Sequence, residues 1–436
     1  MARLINTQRL TMLLVNLSRL LLSLVLLLSG FVKAVDPVGL SYKLQEYFAA
    51  FGIDNIGDGW FLLGASLLSA VEFITGVLLL MGVYVRGVTL LTFLFFLLFT
   101  PLTLVLAVWN PVHDCGCFGD AFKLSNWATF GKNIVLLLLA TIACVKSRLF
   151  VRRVSVHNRW AVALFAVSYI TLVEAVSLSF LPVMDFRPFA IGRDLRSAVE
   201  DVPSEYKVIY RFEKNGEVKE FSDENYPDST WNYLGSRSEI IKAGHPSLIP
   251  DFSFLDMQSG HDYAQEILSD TGYVCLLVIN RIETADESRV DKINDTYYFC
   301  VEQGVKFYAA TSSEPESVEL WRKRTGAEYP ILWADEIMLK TILRSNPGLL
   351  LMRDGMVAGK WNVTDLPTVE QMYSSPTLMP DKVKGIYDYT RNINIWLLLF
   401  VIPLLLIILA DMFTGGSKKE TAAHKNSPSD KQTEQE

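Results

Sequence analysis

The residue types best suited to chemistry are two cysteines one residue apart, Cys115 and Cys117, in the segment 113–119 (HDCGCFG) between two long apolar runs. A disulfide across one intervening residue closes a small, strained ring, and strain raises the reduction potential, so that such a bond is labile. His113 is close enough along the chain to favour a thiolate. We therefore predict a redox-active pair and take Cys115 and Cys117 as the candidate catalytic residues.

Two other interpretations of this pair stay open. In one, the cysteines form a structural disulfide, either with each other or each with a distant cysteine. In the other, His113 joins Cys115 and Cys117 as ligands of a metal ion. These three side chains lack the two-residue separation that zinc ligands usually show, so no residue is assigned as a metal ligand.

The chain has five cysteines, and the other three lie elsewhere. Cys144 falls at the opposite end of a predicted membrane span, roughly 40 Å from Cys117 at 1.5 Å per helical residue, so we expect it to be an inert thiol. Cys275 lies in a predicted strand and Cys300 in a predicted helix. These two either form a bond or remain separate thiols of a protein core.

A charged residue inside an apolar run is costly unless it is paired. Arg19 and Glu72 lie at similar distances from the same membrane face in adjacent, oppositely directed spans. We therefore predict an Arg19–Glu72 ion pair, which either fixes helix register or forms a quinone or proton site. Glu174, in a later span, has no obvious partner in the sequence.

The elements that position these residues are predicted to be membrane helices. The composition is 50% hydrophobic, with a mean hydropathy of +0.26, and the apolar residues are concentrated in runs of about 20, the length that crosses a bilayer core. The predicted spans are 10–32, 61–82, 87–108, 127–145, 160–181 and 393–412.

Basic residues predict the orientation of these spans, because cytoplasmic loops are enriched in lysine and arginine. Ten basic residues near span ends fall on one side if the six spans are real: Arg3, Arg9, Arg86, Lys146, Arg148, Arg152, Arg153, Arg159, Lys418 and Lys419. We therefore expect a multi-pass protein of a bacterial inner membrane with both termini cytoplasmic and with the Cys115 loop and the large polar segment in the periplasm. A cleaved signal peptide is the alternative for the first span.

The chain is predicted to contain six regions. They are a four-helix membrane domain (1–146), a basic loop with the fifth span (147–182), a β-rich linker region (183–248), an α/β domain (249–370), the sixth span (393–412) and a disordered tail (413–436). A helical pattern at 42–51 is expected to lie along the membrane surface. Nucleic acid is not expected as a partner, because no basic stripe carries interleaved aromatic residues.

The polar segment between the last two spans alternates strand and helix patterns. An Asn215-Gly216 turn between the strands 206–213 and 217–221 indicates a hairpin. The pattern then predicts strands at 273–280 and 305–310, helices at 290–303, 316–325 and 336–344, and a hairpin of 348–353 with 356–361 across Asp354-Gly355. Such alternation is typical of a layered α/β domain.

Residues 10–146 resemble the DoxX/MauE-like membrane proteins. The matching elements are Arg19, Gly30, Lys33 and Asp36-Pro37, then Glu72 and Gly76, and above all the motif Cys115-Gly116-Cys117-Phe118-Gly119. The resemblance implies a four-helix membrane bundle, distantly similar to vitamin K epoxide reductase. It also implies a link to methylamine utilisation, where such proteins are thought to assist disulfide formation in a periplasmic dehydrogenase, and, through DoxX, a possible quinone cofactor.

Residues 249–370 resemble a thioredoxin-like domain of the TlpA/peroxiredoxin kind. Pro250-Asp251-Phe252 is similar to the entry of such domains, Tyr329-Pro330 to the approach to the third helix, and Asn346-Pro347 to the cis-proline position. The family has Cys-x-x-Cys after the strand 273–280, where this chain has Arg281-Ile282-Glu283-Thr284. The resemblance therefore implies a degenerate domain that cannot carry out thioredoxin chemistry.

Two functions remain at this point. The first is a thiol–disulfide redox membrane protein that uses Cys115 and Cys117, with an extracytoplasmic protein thiol as partner and possible electron exchange with quinone. The second is a non-enzymatic membrane scaffold or envelope-assembly factor whose outer domain binds a partner and whose cysteines are structural.

Overall fold

The structure is a computed structural model that describes residues 2–53, 55–112, 116–122, 124–242, 244, 247–249, 251–368 and 389–425. The chain divides into two units. The first consists of Met1–Arg187 together with Met379–Glu436, and the second is Pro188–Leu378.

The first unit is helical. Its helices are Ala2–Val35 (α1), Pro37–Ala50 (α2), Asp58–Met81 (α3), Val85–Trp109 (α4), Asn126–Val145 (α5), Arg159–Ser179 (α6) and Tyr389–Lys425 (α12). All but α2 are long and apolar enough to cross a membrane, which makes six such helices in the described part of the chain. Each predicted span coincides with one of these six helices, so the prediction of six spans is confirmed.

The long helices have apolar side chains both where they pack against one another and on their outward surfaces. Leu98 in α4 has 70% of its surface exposed, Leu138 in α5 has 61%, and Phe413 in α12 has 78%. Apolar side chains in such number on the outside of a helical unit require an apolar solvent, because water would penalise their exposure. The helical unit is therefore embedded in a lipid bilayer, and the chain is a multi-pass membrane protein.

Glycines allow α1 and α3 to pack closely. A Cβ atom at Gly30 would lie 2.5 Å from the backbone nitrogen of Phe73, and one at Gly76 would lie 2.8 Å from that of Leu27. Small residues at helix contacts let backbones approach closely inside a membrane, where lipid gives no hydrophobic drive to association. These two contacts set the register of the antiparallel pair, with Gly30 level with Phe73 and Leu27 level with Gly76.

Two buried apolar clusters hold the remaining helices of this unit. One joins α1, α3, α6 and α12, and the other joins α1 with α4 and α5. In the first cluster Tyr169 of α6 stacks on Phe73, with ring centroids 5.4 Å apart, and its hydroxyl donates a 2.9 Å hydrogen bond to the carbonyl of Trp396 in α12. Near the end of the apolar span of α12, the Asp411 carboxylate accepts hydrogen bonds from the backbone and side chain of Ser155, before α6.

The final helix departs from the sequence prediction. The tail 413–436 was expected to be disordered, but α12 continues as helix to Lys425. Lysine, glutamate and alanine after the span have high helix propensity, so a helix already formed in the membrane extends through them. Residues 426–436 lie outside the described residues.

The second unit contains a three-stranded antiparallel sheet. Its strands are Glu205–Lys214 (β1), Glu217–Ser222 (β2) and Asn232–Lys242 (β3), in the order β2-β1-β3. The predicted hairpin is confirmed, since β1 pairs with β2 across Asn215 and Gly216, which have φ values of 55° and 82°. The third strand was not predicted, and nearly all its residues are exposed.

A six-stranded mixed sheet forms the rest of this unit. Its strands are Leu255–Asp256 (β4), Tyr273–Ile279 (β5), Lys306–Thr311 (β6), Ile331–Trp333 (β7), Gly348–Arg353 (β8) and Met356–Asn362 (β9). The order is β4-β7-β6-β5-β8-β9, with β5, β6 and β7 parallel to one another and the other pairs antiparallel. The helices of this unit are Leu195–Val199 (α7), Ala264–Ser269 (α8), Val290–Glu302 (α9), Pro315–Thr325 (α10) and Glu336–Ile342 (α11).

The predicted strands and helices of this region are confirmed with small differences at their ends. The β8–β9 turn has Asp354 and Gly355 at φ 49° and 70°, as a two-residue hairpin requires, and the Asn346–Pro347 peptide bond is cis. Strands β5, β6 and β7 can be parallel because a helix connects each to the next: α9 lies between β5 and β6, and α10 between β6 and β7.

Candidate functional site

Cys117 lies in a tight loop between α4 and α5. Gly116 and Gly119 on either side have φ values of 59° and 51°, and the amide of Gly119 donates a 3.0 Å hydrogen bond to the carbonyl of Gly116. Positive φ is costly for residues with a Cβ atom, which explains the two glycines around the cysteine. Cys115 and His113 lie outside the described residues, so their predicted roles stay predictions.

A buried ion pair lies next to this loop, inside the helical unit. The Nζ atom of Lys33, in α1, is 2.5 Å from Oε1 of Glu72, in α3, and only 7% and 2% of the two side chains are exposed. Ser29 precedes Lys33 by one helical turn, so the two side chains share one face of α1. The Ser29 hydroxyl is 2.6 Å from Oε2 of Glu72, and Lys33 Nζ is 3.1 Å from the Ser29 Oγ atom.

The same serine connects the ion pair to the cysteine loop. Ser29 Oγ is 2.8 Å from the backbone carbonyl oxygen of Cys117. A Cβ atom at Gly119 would lie 3.4 Å from Cγ1 of Val32, so the loop packs directly on α1. Cys117, Ser29, Lys33 and Glu72 therefore form one continuous polar site, which we call the Ser29 cluster.

The predicted Arg19–Glu72 ion pair is wrong. Arg19 donates a 2.5 Å hydrogen bond from Nη1 to the carbonyl of Val151, and its guanidinium lies 5.3 Å from the centre of the Phe150 ring. The glycine contacts place Arg19 level with Gly82, at the end of α3, where Arg19 Nη1 is 2.8 Å from the position of a Gly82 Cβ atom. Hydropathy does not define the ends of the spans precisely enough to predict how α1 and α3 are aligned with each other.

Consequently, Arg19 and Glu72 do not form a common binding site for a quinone headgroup. The Glu72 carboxylate is already occupied by Lys33 and Ser29. Arg19 is held by the segment after α5. The two side chains are therefore held in separate contacts, at different positions along α1 and α3.

Glu174 has a partner that the sequence did not reveal. Oε1 of Glu174, in α6, accepts a 2.5 Å hydrogen bond from the hydroxyl of Ser69, in α3. Ser69 lies one turn before Glu72 on the same helix, so polar groups of α6, α3 and α1 follow one another through the bundle. Serine is common in membrane helices at such contacts, because its hydroxyl also bonds the backbone of its own helix, as Ser69 does with Ala65.

A cavity opens beside the cluster, between α1, α2, the Cys117 loop and the segment after α6. Lys33, Lys43, Gly116 and Arg187 are among its lining residues. Its cations have acidic partners: Lys43 Nζ is 2.9 Å from Glu46, and Arg187 Nε is 2.7 Å from Asp185. The cavity is thus polar and charged on several sides, next to the loop that carries the cysteine.

The other three cysteines lie apart from the Cys117 loop, one in the helical unit and two in the second unit. Cys144 is half-buried near the end of α5. In the second unit, Cys275 on β5 and Cys300 in α9 are buried, and their sulfur atoms are 3.5 Å apart with no bond between them. The hydrogen bond with Cys300, followed by burial, raises the pKa of the Cys275 thiol well above its ordinary value. Cys275 is therefore a core thiol with little thiolate character, and Cys300 is buried beside it.

The loop after β5, where a thioredoxin-like domain has its cysteines, contains other polar groups. Ser313 Oγ donates a 2.8 Å hydrogen bond to Glu283, and the Asn346 side chain donates one of 2.8 Å to the carbonyl of Arg281. Hydrogen bonds, led by one with Ser317, lower the pKa of Glu283. An ionised carboxylate here is a hydrogen-bond acceptor rather than a nucleophile for disulfide exchange.

Ser29 and Lys33 were not predicted as site residues, although both lie in α1. A lysine near the end of an apolar helix is usually taken to extend to the membrane surface. The sequence did contain one indication of this site: Ser29 and Lys33 are four residues apart, so they lie on the same face of α1. Only the register of α1 against α3 shows that Lys33 turns inward to Glu72.

Comparisons with known proteins bear on parts of the chain. Residues 11–146 match the model of the family described as methylamine utilisation protein MauE, and residues 204–243 match a domain of unknown function, DUF8463. A search of curated proteins gave no match. One solved structure, described as an uncharacterized conserved protein from Geobacillus kaustophilus, is 14% identical with a TM-score of 0.21, and the match covers 26% of this chain and 65% of that chain.

The MauE match contains most of α1 and all of α2 to α5, and with them every residue of the Ser29 cluster. The segment that holds the candidate site thus resembles MauE, within a multi-pass membrane protein that carries a second, sheet-containing unit.

Proposed function

We propose that this protein is a thiol–disulfide redox protein of a bacterial inner membrane, with Cys115 and Cys117 as its redox couple. The observation that carries the proposal is the attachment of the Cys117 carbonyl to a buried ion pair through Ser29. Burying two charges carries a large desolvation penalty, and this pair lies directly beside the loop that carries Cys117. The likeness of residues 11–146 to MauE supports the same assignment.

The reaction exchanges one disulfide for another. Oxidation of Cys115 and Cys117 breaks two S–H bonds, forms one S–S bond, and releases two protons and two electrons. The electrons reduce a disulfide of the protein partner, which becomes two thiols. In the opposite direction, a partner dithiol attacks the strained pair and leaves with its own disulfide.

The basic residues at the span ends support an orientation in which the Cys117 loop and the second unit face the periplasm. Periplasmic proteins hold disulfides, so partners with exchangeable thiols are available there. The strand order of the second unit supports a thioredoxin-like fold, in which the loop after β5 lacks cysteines. Such a unit is suited to recognise a partner protein and not to exchange disulfides with it.

Trapping the thiol state of the full-length protein in cells tests this function. An alkylating mass tag should show that the wild-type pair cycles between oxidised and reduced forms when oxidant or mild reductant is added. Cys115→Ser and Cys117→Ser should each accumulate a mixed disulfide with a partner, because the resolving thiol is gone. Cys144→Ser keeps the pair and serves as the control. A pair that stays oxidised under mild reductant, with no mixed disulfide in either variant, would contradict the proposal.

A second function, a scaffold without enzymatic activity, is favoured by the exposed three-stranded sheet. Tyr206 and Ile240 face each other across β1 and β3, and 60% and 59% of their surfaces are exposed. Further exposed apolar residues on the same three strands are Val218, Tyr233 and Ile241, and contiguous apolar surface of this kind marks protein-binding sites. If neither cysteine variant changes the cellular phenotype but Tyr206→Ser with Ile240→Ser does, the scaffold role is the better account.

A further inference from the structure

The side of the helical unit at which α3 ends and α6 begins has few acidic residues to balance its basic ones. The sequence contains no aspartate or glutamate in residues 1–35, 73–113 and 121–173, which include the α3–α4 and α5–α6 connections. Asp411 of α12 is a carboxylate on this side, and it accepts hydrogen bonds from Ser155. The arginines of the two connections therefore lie in a region of excess positive charge.

The segment after α5 is fixed against α1 on this side. Asn16 Nδ2 donates a 3.2 Å hydrogen bond to the carbonyl of Leu149, and the Val151 amide donates one of 3.1 Å to Asn16 Oδ1. Arg19, about one turn further along α1, donates from Nη1 to the carbonyl of the same valine. The Arg153 amide donates a 3.2 Å hydrogen bond to the carbonyl of the last residue of α3. The segment is thus held on two helices.

Arg19 has donors that the protein leaves unused. A guanidinium carries five N–H donors, and the described residues accept one hydrogen bond from it, at the Val151 carbonyl. Its Nε atom is buried with no hydrogen-bond partner among these residues, and only 5% of Arg19 is exposed. Arg152 lies close by, since the position of a Gly82 Cβ atom is 2.8 Å from Arg19 Nη1 and 3.5 Å from the Arg152 Cα atom. A buried polar group without an acceptor is costly, so the site lacks an acceptor that a ligand can supply.

The neighbours of the Arg19 guanidinium are aromatic or positively charged. The Phe150 ring lies with its centre 5.3 Å from the guanidinium carbon, and Arg153 acts on Arg19 as a like charge. None of the ion pairs among the described residues includes Arg19, Arg152 or Arg153. An anion bound between these arginines would replace their repulsion by attraction.

Apolar side chains border the arginines. Leu20 on α1, and Leu149 and Val151 after α5, are exposed. A free anion would leave these side chains uncovered, whereas a phospholipid places its acyl chains against them and its phosphate against the arginines. Arginine binds phosphate through two parallel N–H bonds, and basic pockets at the ends of membrane helices bind anionic headgroups. The combination of charge and apolar surface therefore fits a lipid.

We propose that Arg19, Arg152 and Arg153 bind the phosphate of one anionic phospholipid on the side of the membrane where the basic connections lie. The phosphodiester accepts hydrogen bonds from the unused donors of Arg19 and supplies the negative charge that this side lacks. The bound lipid joins α1, the end of α3 and the segment after α5. The site lies at the opposite end of α5 from the Cys117 loop, so it does not rest on the proposed redox function.

Lipid binding to the full-length protein in a neutral detergent tests this site. Native mass spectrometry counts the lipids retained while dioleoyl phosphatidylglycerol or dioleoyl phosphatidylcholine is titrated, the second having the same acyl chains but no net charge. The wild-type protein should bind one phosphatidylglycerol about tenfold more tightly than phosphatidylcholine, since its net charge strengthens the hydrogen bonds to the arginines. Inorganic phosphate at the same concentration is added as a competitor, and it should not displace the lipid because it lacks acyl chains.

Two variants and a matched control make the test specific. Arg19→Gln and Arg153→Gln should each weaken phosphatidylglycerol binding by about tenfold, as the loss of a charge-assisted hydrogen bond does. Arg153 is exposed, so its variant keeps the test decisive if Arg19→Gln fails to fold. Arg159→Gln is the control, because it removes one positive charge from the same side, where Arg159 lies 4.7 Å from the centre of the Tyr84 ring. It should bind the lipid as the wild type does.

The outcomes are distinct. A preference for phosphatidylglycerol that is lost in Arg153→Gln and kept in Arg159→Gln supports the site. Equal affinity for the two lipids, or an affinity that Arg153→Gln leaves unchanged, overturns it. A loss in Arg159→Gln as large as that in Arg153→Gln also overturns it, because the attraction is then spread over the whole side. Displacement of the lipid by inorganic phosphate overturns the lipid as the ligand.

Discussion

At the scale of single residues, the burial of Lys33 and Glu72 decides how the helical unit responds to mutation. Both groups are removed from water and lipid, and each is the other's nearest opposite charge. Removing one partner leaves an uncompensated charge inside the bundle, whereas removing both leaves an apolar contact. The contribution of each residue to stability therefore depends on the presence of the other, and together they join α1 to α3.

We expect Lys33→Met and Glu72→Met to destabilise the protein by about 3–5 kcal/mol each, because each leaves a buried charge without its partner. The double variant should recover most of the loss, since the remaining side chains are apolar. The yield of monodisperse protein in detergent, followed over temperature, measures this. Equal losses that simply add in the double variant would contradict direct pairing. Lys43→Met is the control, because its partner Glu46 is exposed.

The sequence predicted that Glu72 is paired but named the wrong partner. A costly charge in an apolar span indicates that a partner exists, and this physical argument was correct. The identity of the partner depends on helix register, which differs between Arg19 and Lys33 by several turns. The register of α1 against α3 is set by the close contacts at Gly30 and Gly76. These contacts between helices cannot be identified from a single sequence.

At the scale of elements, the close approach of α1 and α3 depends on the absence of two Cβ atoms. Gly76→Ala would place a methyl group 2.8 Å from the backbone nitrogen of Leu27, and backbone atoms cannot move as a side chain can. We expect this substitution to separate α1 from α3 and to lower the thermal stability by about 1–3 kcal/mol, the range for overpacking. It should also weaken the Lys33–Glu72 contact.

The control for this prediction is Gly87→Ala in α4. A Cβ atom at Gly87 would have no neighbour within 4 Å, so the change should be neutral or slightly stabilising through helix propensity. Thermal unfolding of both variants in the same detergent measures the difference. If Gly76→Ala is as stable as Gly87→Ala, close packing at Gly76 does not hold α1 and α3 together.

In the second unit, an ion pair joins the loop before β5 to the start of β6. Lys306 Nζ is 2.7 Å from Oδ2 of Asp270, and this hydrogen bond lowers the pKa of the Asp270 carboxyl. Because the folded-state pKa is lowered, the stabilisation is present above the unfolded pKa and is lost as pH falls through the folded value.

We therefore expect Asp270→Asn to reduce stability at pH 7 by about 0.2–1 kcal/mol, the range for a pair with an exposed partner. The difference between variant and wild type should shrink as the pH is lowered below about 4. Limited proteolysis of the full-length protein across this pH range measures the effect. A difference that grows on acidification would contradict the assigned role. Asp291→Asn in α9 provides an acidic-to-amide control.

The second unit also shows which elements the sequence could predict. Strands of continuous apolar residues such as β5, and turns such as Asn215-Gly216 and Asp354-Gly355, carry strong local signals. The exposed strand β3 carries none, because its side chains on both faces meet solvent and no alternation of apolar and polar residues develops. It is held by its pairing with β1, which is a contact between distant parts of the chain.

At the scale of the whole molecule, the distribution of basic residues predicts one orientation for all six helices. We expect a reporter fused after Lys425 to be active in the cytoplasm, and one inserted at Gly260, whose φ of 71° lies in an exposed turn, to be active in the periplasm. Paired reporters that require an oxidising or a reducing compartment measure this. A cytoplasmic signal from Gly260 would reverse the orientation and place the cysteine loop in a reducing compartment, against the proposed redox role.

The fold class of the helical unit could be predicted because hydropathy and length suffice to identify a membrane helix. The site could be predicted only in part. The motif around Cys117 was recognisable from its residue types, but Ser29 and Lys33 can be identified as site residues only from their contacts with α3. A polar residue in a span is recognisable in a sequence, whereas the network that it joins becomes visible only once the helices are packed.

The position of α12 has a consequence for how the protein is made. Tyr169 of α6 finds its hydroxyl's acceptor, the carbonyl of Trp396, in a helix that is synthesised only after the whole of the second unit. Until then the Tyr169 hydroxyl lacks this acceptor. The apolar cluster of α1, α3, α6 and α12 is thus completed only after residues 389–425 have been synthesised, and a nascent chain cut short before 389 would lack this contact, which membrane quality-control proteases can recognise.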